Sequence, residues 1–236
     1  MTSHNEKNVY LNKQIIEECF VDLGDMLKKR AKNHKIYCEI VVVGGASILL
    51  NYGFRLSTLD IDCTDEYKVL MNDLISEIAV KHNLPFGWIN TSFANTNSYS
   101  RNISRYSSHY KTYGDGVLEV RTIKDLYLLA MKIVSGRKYK NDYSDIYGII
   151  QELNKNGKMI TIEALDKAIV ELYSSLEVVN KDAYQFAKSI IENKNNISYE
   201  ALKKEEASNA EIIISNAKDN TDQNDIDYIL SKLEIK

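Results

Sequence analysis

Two aspartates separated by a single residue lie in a short apolar segment, Leu59 to Cys63. On a β-strand, residues two apart point to the same side, so Asp60 and Asp62 would present two carboxylates to one face. Carboxylates this close repel each other unless a cation lies between them. Magnesium is a hard cation that takes oxygen ligands of this kind. The pair is therefore a candidate catalytic site that holds Mg2+.

Two glycines end a β-rich segment, residues 36–43, and open a short helix. The backbone N–H groups of Gly44 and Gly45 would lie at a helix N-terminus, where anions bind, and Ser47 can add a hydroxyl. Arg55 precedes the carboxylate pair. A double glycine alone is often only a packing feature of a turn. A phosphate-binding turn facing a metal-binding pair is far more specific, because phosphoryl and nucleotidyl transfer require this combination.

The periodicity of apolar residues predicts the elements that position these groups. The predicted elements of the first part are a helix 11–33, a strand 36–43, a helix 46–52, a strand 59–63, a helix 65–81 and a strand 116–121. Thr122 and Asp125 have the spacing of a capping box for the next helix. Residues 84–114 are predicted to be loop with short irregular strands.

The chain after Gly136 is predicted to be helical, in segments 142–155, 162–176, 180–193, 199–217 and 224–234. The expected fold is therefore of the α/β (α+β) class, with a small mixed sheet and helices. We expect this core to occupy residues 1–135 and a helical C-terminal domain to occupy residues 136–236.

Composition excludes several classes of protein. A formal net charge of −3 over 236 residues does not fit a uniformly basic nucleic-acid-binding surface. The three cysteines are widely spaced and form neither a disulfide framework nor a zinc motif. No apolar run approaches the roughly 20 residues needed to span a bilayer, and the first residues lack the apolar core of a signal peptide. We therefore expect a cytoplasmic protein with no membrane partner.

The segment from Val41 to Cys63 resembles the DNA polymerase β-like nucleotidyltransferases, whose signature is a double glycine followed by a DxD pair. Within that superfamily it is most similar to the AbiEii-type toxins, on the pattern GGxAL followed by R-x-S/T-x-DID. A second block of that pattern is similar to residues 131–137 and 141–145 here. This block departs from the pattern at Asn141, where a lysine is usual.

The resemblance implies roles for residues outside the first motif. Lys132 and Arg137 would meet the triphosphate of a bound nucleotide, Asp142 would belong to the same site, and Glu119 would be the third catalytic carboxylate. Simpler interpretations remain open for each of them. Lys132 can be a solvated helix lysine, Arg137 can cap helix carbonyls, Asp142 can favour a helix N-terminus, and Glu119 can be a solvated strand residue.

The residues from 78 to 114 include no acidic side chain. Cations interleaved with aromatic rings are typical of a nucleic-acid-binding surface. The candidate residues for RNA contact are Arg101, Arg105, Tyr106, Tyr110 and Lys111. A polar hairpin is the alternative interpretation of the same segment.

The predicted function is magnesium-dependent transfer of a nucleoside monophosphate from a nucleoside triphosphate to an acceptor. The resemblance to AbiEii-type toxins implies RNA, such as the acceptor end of tRNA, as that acceptor, and a cognate antitoxin as a partner. Two alternatives remain open: a catalytically silent member that acts by binding, and an enzyme that modifies a protein or a small molecule.

Overall fold

The structure is a computed structural model that describes residues 9–31, 36–64, 69–194 and 196–220. These residues form two compact units. The sheet unit contains the described residues of 9–131 and 163–178, and the helical unit contains those of 132–162 and 179–220. The division into domains after residue 135 stays a prediction.

The helices and strands follow one another along the chain. They are α1 (Lys13–Ala31), β1 (Cys38–Val42), α2 (Gly44–Asn51), β2 (Ile61–Asp62), α3 (Val69–Lys81), β3 (Ile89–Asn90), α4 (Ile103–Tyr106), β4 (Ser108–Tyr113), β5 (Leu118–Thr122), α5 (Asp125–Ser135), α6 (Asp142–Lys155), α7 (Ile162–Tyr173), α8 (Lys181–Ile191) and α9 (Tyr199–Asn220). Short 3-10 helices occupy Ser92–Asn95, Gly114–Gly116 and Leu176–Val178.

The sheet of this fold is small and mixed. Its strand order is β1-β5-β4, with β1 parallel and β4 antiparallel to the central β5. β2 and β3 form a separate parallel pair, which an isolated antiparallel bridge between Val42 and Cys63 joins to β1. The predicted α/β class, with a mixed-sheet core followed by a helical C-terminal part, is confirmed.

One face of the sheet and the helix α1 enclose the hydrophobic core. Phe20 and Leu23 of α1 are fully buried with Ile40 of β1 and Val120 of β5. Their spacing follows the helical period on α1 and the two-residue alternation on the strands. Trp88 is also fully buried, and its indole N–H donates to the carbonyl of Ile75 at 3.0 Å. This core fixes the strands that carry the predicted site.

Residues 84–114 contain more regular structure than the sequence predicted. β4 covers six of them and pairs along β5, with a bulge between His109 and Lys111. Its exposed positions are polar because β4 lies at the edge of the sheet, where one side of a strand faces solvent. The sequence of β4 therefore lacks the apolar run that would have predicted a strand.

Three helices, α6, α8 and α9, build most of the helical unit. The prediction of a helix over residues 142–155 is confirmed, and Asn180 caps α8 by accepting the N–H of Ala183 at 3.1 Å. The predicted helix 224–234 lies outside the described residues. Among the described helices, none combines the length and the apolar character that crossing a membrane requires.

Candidate active site

The turn at Gly44 and Gly45 lies directly beside the carboxylate strand. The N–H of Val43 donates to the carbonyl of Asp62 at 2.9 Å. Gly44 has a φ of +61°, a left-handed conformation that side chains disfavour. A Cβ on Gly44 would lie 3.1 Å from Oδ2 of Asp62. The missing side chain therefore allows a carboxylate to approach the turn.

Gly45 is packed closely against the side chains of Thr58 and Arg55. A Cβ placed there would lie 2.7 Å from Oγ1 of Thr58 and 2.8 Å from Cζ of Arg55. The guanidinium of Arg55 is held in part by a hydrogen bond from its Nε to the carbonyl of Ser57, at 3.0 Å. The structure thus brings a double-glycine turn, a carboxylate and a guanidinium to one place, as the sequence suggested.

Asp60 and Asp62 flank a residue that points into the core. Ile61 is fully buried, whereas both aspartates are half-buried. Because side chains alternate along an extended chain, the two carboxylates share the side opposite to Ile61. Asn90, on the neighbouring strand β3, donates from Nδ2 to Oδ2 of Asp60 at 3.0 Å. Its Oδ1 accepts the N–H of Ser92 at 2.9 Å, so its amide is held in a fixed orientation.

The carboxylate pair can be tested for its fit to a cation. Within the described residues, no group of three or more His, Cys, Asp or Glu side chains could hold a metal. Magnesium, however, binds through one or two carboxylates and completes its shell with water and substrate phosphates. Asp60 and Asp62 therefore fit Mg2+ held together with a phosphate, and do not form an all-protein cage.

Ser47 takes a structural part in this region. Its side chain is fully buried, and its hydroxyl donates to the carbonyl of Ile123 just after β5. It also receives a hydrogen bond from Nδ2 of Asn51 at 3.3 Å. These contacts fix helix α2 against the sheet. The hydroxyl is therefore used within the fold, whereas its sequence position suggested that it binds phosphate.

Glu119 is not brought to the Asp60–Asp62 pair. In the register of the sheet, Glu119 pairs with Glu39 of β1. The carbonyl of Asp62 instead accepts the N–H of Val43, just after the end of β1. The step from residue 39 to residue 43 along β1 corresponds to roughly 13 Å.

The carboxylate of Glu119 has partners of its own. It accepts a hydrogen bond from Oη of Tyr37 at 2.5 Å and lies 3.3 Å from both Nδ1 of His109 and Nη1 of Arg121. The bond from Tyr37, followed by those from His109 and Arg121, lowers the pKa of Glu119 despite some desolvation.

Lys132, Arg137 and Asp142 are brought together with one another in the helical unit. Nζ of Lys132 lies 3.0 Å from Oδ1 of Asp142 and 2.8 Å from Oδ2 of Asp145. Nε of Arg137 lies 2.9 Å from Oδ2 of Asp142. Burial opposes the charge on Asp142, but Lys132 and Arg137 outweigh it and hold the pKa of Asp142 well below its usual range. Lys132 is only 8% exposed, which excludes the alternative interpretation of a solvated helix lysine.

The five predicted RNA-contact residues divide between different surroundings. Arg101, Arg105 and Lys111 are exposed. The ring of Tyr106 stacks on Tyr127, with centroids 4.5 Å apart, and the guanidinium of Arg105 lies 5.7 Å from the Tyr106 ring.

Tyr110 instead faces helix α1. Its hydroxyl donates to Glu17, and Nζ of Lys13 lies 5.8 Å from its ring. The cations are therefore accessible, whereas both rings already have partners in the fold.

The sequence patterns did not point to Asn90, and they indicated Thr58 only as a residue that precedes the carboxylate pair. Asn90 lies in the short segment Trp88-Ile89-Asn90, where a polar residue follows a buried isoleucine, as Asp62 follows Ile61. That similarity is the only signal for a second strand beside β2. Thr58 forms an antiparallel bridge with Leu11, a long-range contact that no local pattern indicates.

A small mixed sheet, a helix opened by two glycines and a strand with paired carboxylates are the features of this chain that agree with a nucleotidyltransferase. The chain belongs to the family described as "Nucleotidyltransferase of unknown function (DUF6036)", whose profile matches residues 19–206. Comparisons with curated proteins and with solved structures give no significant match.

Proposed function

We propose that this protein is a magnesium-dependent enzyme that transfers a nucleoside monophosphate from a nucleoside triphosphate to an acceptor hydroxyl and releases pyrophosphate. The observation that supports this most directly is the approach of the Asp62 carboxylate to the glycine turn, with a Cβ on Gly44 only 3.1 Å from Oδ2. The groups proposed to bind the metal and the phosphates are therefore neighbours. Membership of a nucleotidyltransferase family supports the same reaction.

The residues of the chain have distinct parts in the proposed reaction. Asp60 and Asp62 hold the metal, and the N–H groups of Gly44 and Gly45 bind phosphate oxygens. Arg55, which lies against Gly45, compensates the charge of the triphosphate. Magnesium bound there would neutralise phosphate charge and favour departure of pyrophosphate. Roles for Lys132, Arg137 and Asp142 in nucleotide binding rest on the resemblance alone and stay predictions.

The test is transfer of label from an α-labelled nucleoside triphosphate to total RNA, protein or small-molecule fractions. We expect transfer with Mg2+ and its loss in Asp60→Asn and in Asp62→Asn, because either change removes a ligand charge. Asp73→Asn is the matched control, since this aspartate is exposed on α3 and its carboxylate lies 3.7 Å from Nη1 of Arg30. Undiminished transfer in both site variants would refute the metal assignment.

We further propose RNA as the acceptor, on the exposed Arg101, Arg105 and Lys111. Replacing all three by Gln should weaken tRNA binding and flatten its salt dependence, with each lost phosphate contact lowering the log–log slope by roughly one unit or slightly less. Filter binding at several salt concentrations measures both effects. An unchanged slope would remove this support, and label found in the protein or small-molecule fraction would identify another acceptor.

The similarity to AbiEii-type toxins extends the proposal to a cytoplasmic toxin that pairs with an antitoxin. The three cysteines, Cys19, Cys38 and Cys63, are all free thiols, as a reducing compartment would keep them. Co-expression with the neighbouring open reading frames tests the pairing. Growth arrest that no neighbour relieves would argue against it.

A catalytically silent binding protein is the second candidate. The observation that favours it is the distance of Glu119 from the carboxylate pair, together with the absence of a three-ligand cluster among the described residues. Thermal unfolding with each common triphosphate, with and without Mg2+, separates the two functions. Stabilisation that requires both ligands supports the enzyme, because binding to the native state raises the unfolding temperature. No shift with any triphosphate would favour the silent protein.

A further inference from the structure

The helical unit contains a partly open cavity of about 390 Å³ that the proposed reaction does not use. Its apolar lining comes from Phe186 of α8, Leu202 of α9 and Ile197 between those helices. The ring of Tyr143 also lines it, 5.1 Å from the ring of Phe186 and tilted by 48°. This volume lies within the range of pockets that bind small organic molecules.

The charged groups around the cavity are predominantly acidic. Among the described residues, Asp182, Glu205 and Glu206 line it together with one cation, Lys138. Nζ of Lys138 lies 2.7 Å from Oδ2 of Asp182, so these two charges compensate each other. The carboxylates of Glu205 and Glu206 remain as the excess charge. A ligand that complements the cavity therefore carries a positive charge.

Glu206 is the buried member of this group. It is 4% exposed, and its carboxylate accepts the N–H groups of Tyr143 and Ser144 at 2.8 and 3.1 Å and the hydroxyl of Ser144 at 2.6 Å. All of these donors are neutral. Burial raises the pKa of Glu206 to about 7, although its hydrogen bonds with Ser144 oppose this, and the nearby charge of Asp145 adds to the rise.

The cations near Glu206 are engaged with other groups. On the side of α6, Lys132 pairs with Asp145 at 2.8 Å. On its own helix, Lys203 donates to Oδ1 of Asn141. Lys138, before α6, pairs with Asp182 of α8.

Tyr143 contributes a polar group that has no hydrogen-bond partner among the described residues. Its hydroxyl is buried and makes no hydrogen bond with any described residue. A buried hydroxyl without a partner costs free energy, which a ligand with a hydrogen-bond donor would recover. An ammonium group is such a donor and also supplies the missing positive charge.

We propose that this cavity is a binding site for a small organic cation, an amine carried on an apolar or aromatic body. The ammonium would face Glu206 and the hydroxyl of Tyr143, and the body would lie against Phe186, Ile197 and Leu202. The site is independent of Asp60 and Asp62, so it can exist whether or not the chain transfers nucleotides.

Three probes that share a phenylethyl group test the proposal on the full chain: 2-phenylethylamine, 2-phenylethanol and 3-phenylpropionate. Calorimetry and chemical-shift changes at α8 and α9 should show binding of the amine, with at least about tenfold weaker binding of the neutral and anionic probes. Equal affinities for all three, or no binding of the amine at millimolar concentration, would overturn the proposal.

Two variants test whether the carboxylate of Glu206 supplies the negative charge that binds the amine. Glu206→Gln keeps an acceptor for the N–H groups at the start of α6 and should weaken amine binding by about tenfold or more. Glu211→Gln changes an exposed residue of the same helix and should leave binding unaltered. Because Glu206 is charged in only a fraction of molecules at pH 6, the amine should bind the parent about tenfold more weakly there than at pH 8. Equal binding by Glu206→Gln and the parent would also overturn the proposal.

Discussion

At the scale of single residues, the candidate active site depends on the missing side chains of Gly44 and Gly45 as much as on the side chains around them. The lack of a side chain at Gly44 and Gly45 allows Asp62 on one side and Arg55 on the other to reach the same turn. Both glycines were identified from the sequence, because they follow an apolar strand. Arg55 was identified there too, but its contact with Gly45 and that of Thr58 could not be, because both side chains reach the turn only through the folded chain.

Gly45→Ala tests this close approach. The new methyl group would meet Oγ1 of Thr58 at 2.7 Å, and Thr58 is held by its bridge to Leu11. We expect a loss of about 1 kcal/mol in the free energy of unfolding, since overpacking costs 1–3 kcal/mol and the end of Arg55 can move aside. Triphosphate binding should weaken as Arg55 is displaced.

Gly53→Ala is the matched control, because a Cβ at Gly53 has nothing within 4 Å. Urea denaturation and triphosphate titration of both variants make the comparison. Equal behaviour of the two variants would show that the contacts around Gly45 are not restrictive.

Asn90→Ala tests whether the amide orients the metal-binding carboxylate. The change removes the hydrogen bond to Asp60 and the one from the N–H of Ser92, so we expect a loss of about 1–2 kcal/mol in the unfolding free energy. Nucleotide transfer should fall by roughly 10-fold to 100-fold, the usual effect of removing a group that orients a metal ligand.

Asn97→Ala, an exposed residue of the same segment, is the control for Asn90→Ala. Initial rates at several Mg2+ concentrations separate weaker metal binding from slower transfer. Rates for Asn90→Ala equal to those of the control would exclude an orienting role.

At the scale of elements, strong periodicity predicted helices well, and local pattern predicted β1, β2 and β5 but not β3 and β4 as regular strands. Helix α6 begins and ends where its apolar stripe indicates. The capping box at Thr122 and Asp125 is wrong, because Thr122 completes β5 and its hydroxyl donates to Oδ1 of Asn51 at 3.2 Å. The position of Glu119 depends on the register between β1 and β5, which no single-strand pattern determines.

The ion-pair cluster between the end of α5 and the start of α6 gives a prediction about stability. Lys132→Met should lower the free energy of unfolding by about 3 kcal/mol, because it leaves the buried Asp142 and Asp145 without a cation that contacts both. Lys138→Met removes a pair of similar length at the surface, with Asp182, and should cost much less. Urea denaturation at neutral pH measures both.

The same cluster predicts a pH dependence. The pKa of Asp142 is lowered in the folded protein, because Lys132 and Arg137 outweigh the effect of its burial. Its stabilising contribution is therefore complete above the unfolded pKa, about 4, and is lost as the pH falls below that value. Asp142→Asn should flatten the fall of the urea midpoint between neutral pH and pH 3. A parallel fall in parent and variant would assign acid sensitivity to other groups.

At the scale of the whole molecule, the sequence predicted the class of fold and the central motif but not the assignment of helices to units. Helix α7 follows α6 in the chain, yet it belongs to the sheet unit, where Glu171 accepts a hydrogen bond from Tyr127 at 2.7 Å. Lys132 lies off the apolar stripe of its helix and is nevertheless buried, because two aspartates of α6 surround it. Long-range contacts of this kind are not encoded in local periodicity.

The carboxylate strand β2 is only two residues long, and few backbone hydrogen bonds hold it. The N–H of Ile61 donates to Trp88 at 2.7 Å, that of Cys63 to Asn90 at 3.0 Å, and Val43 donates to Asp62 at 2.9 Å. The exchange of these three amide protons therefore reports the opening of the candidate site. Their exchange with deuterated solvent reports each opening of the strand, and a bound ligand that bridges the strand and the glycine turn would slow all three together.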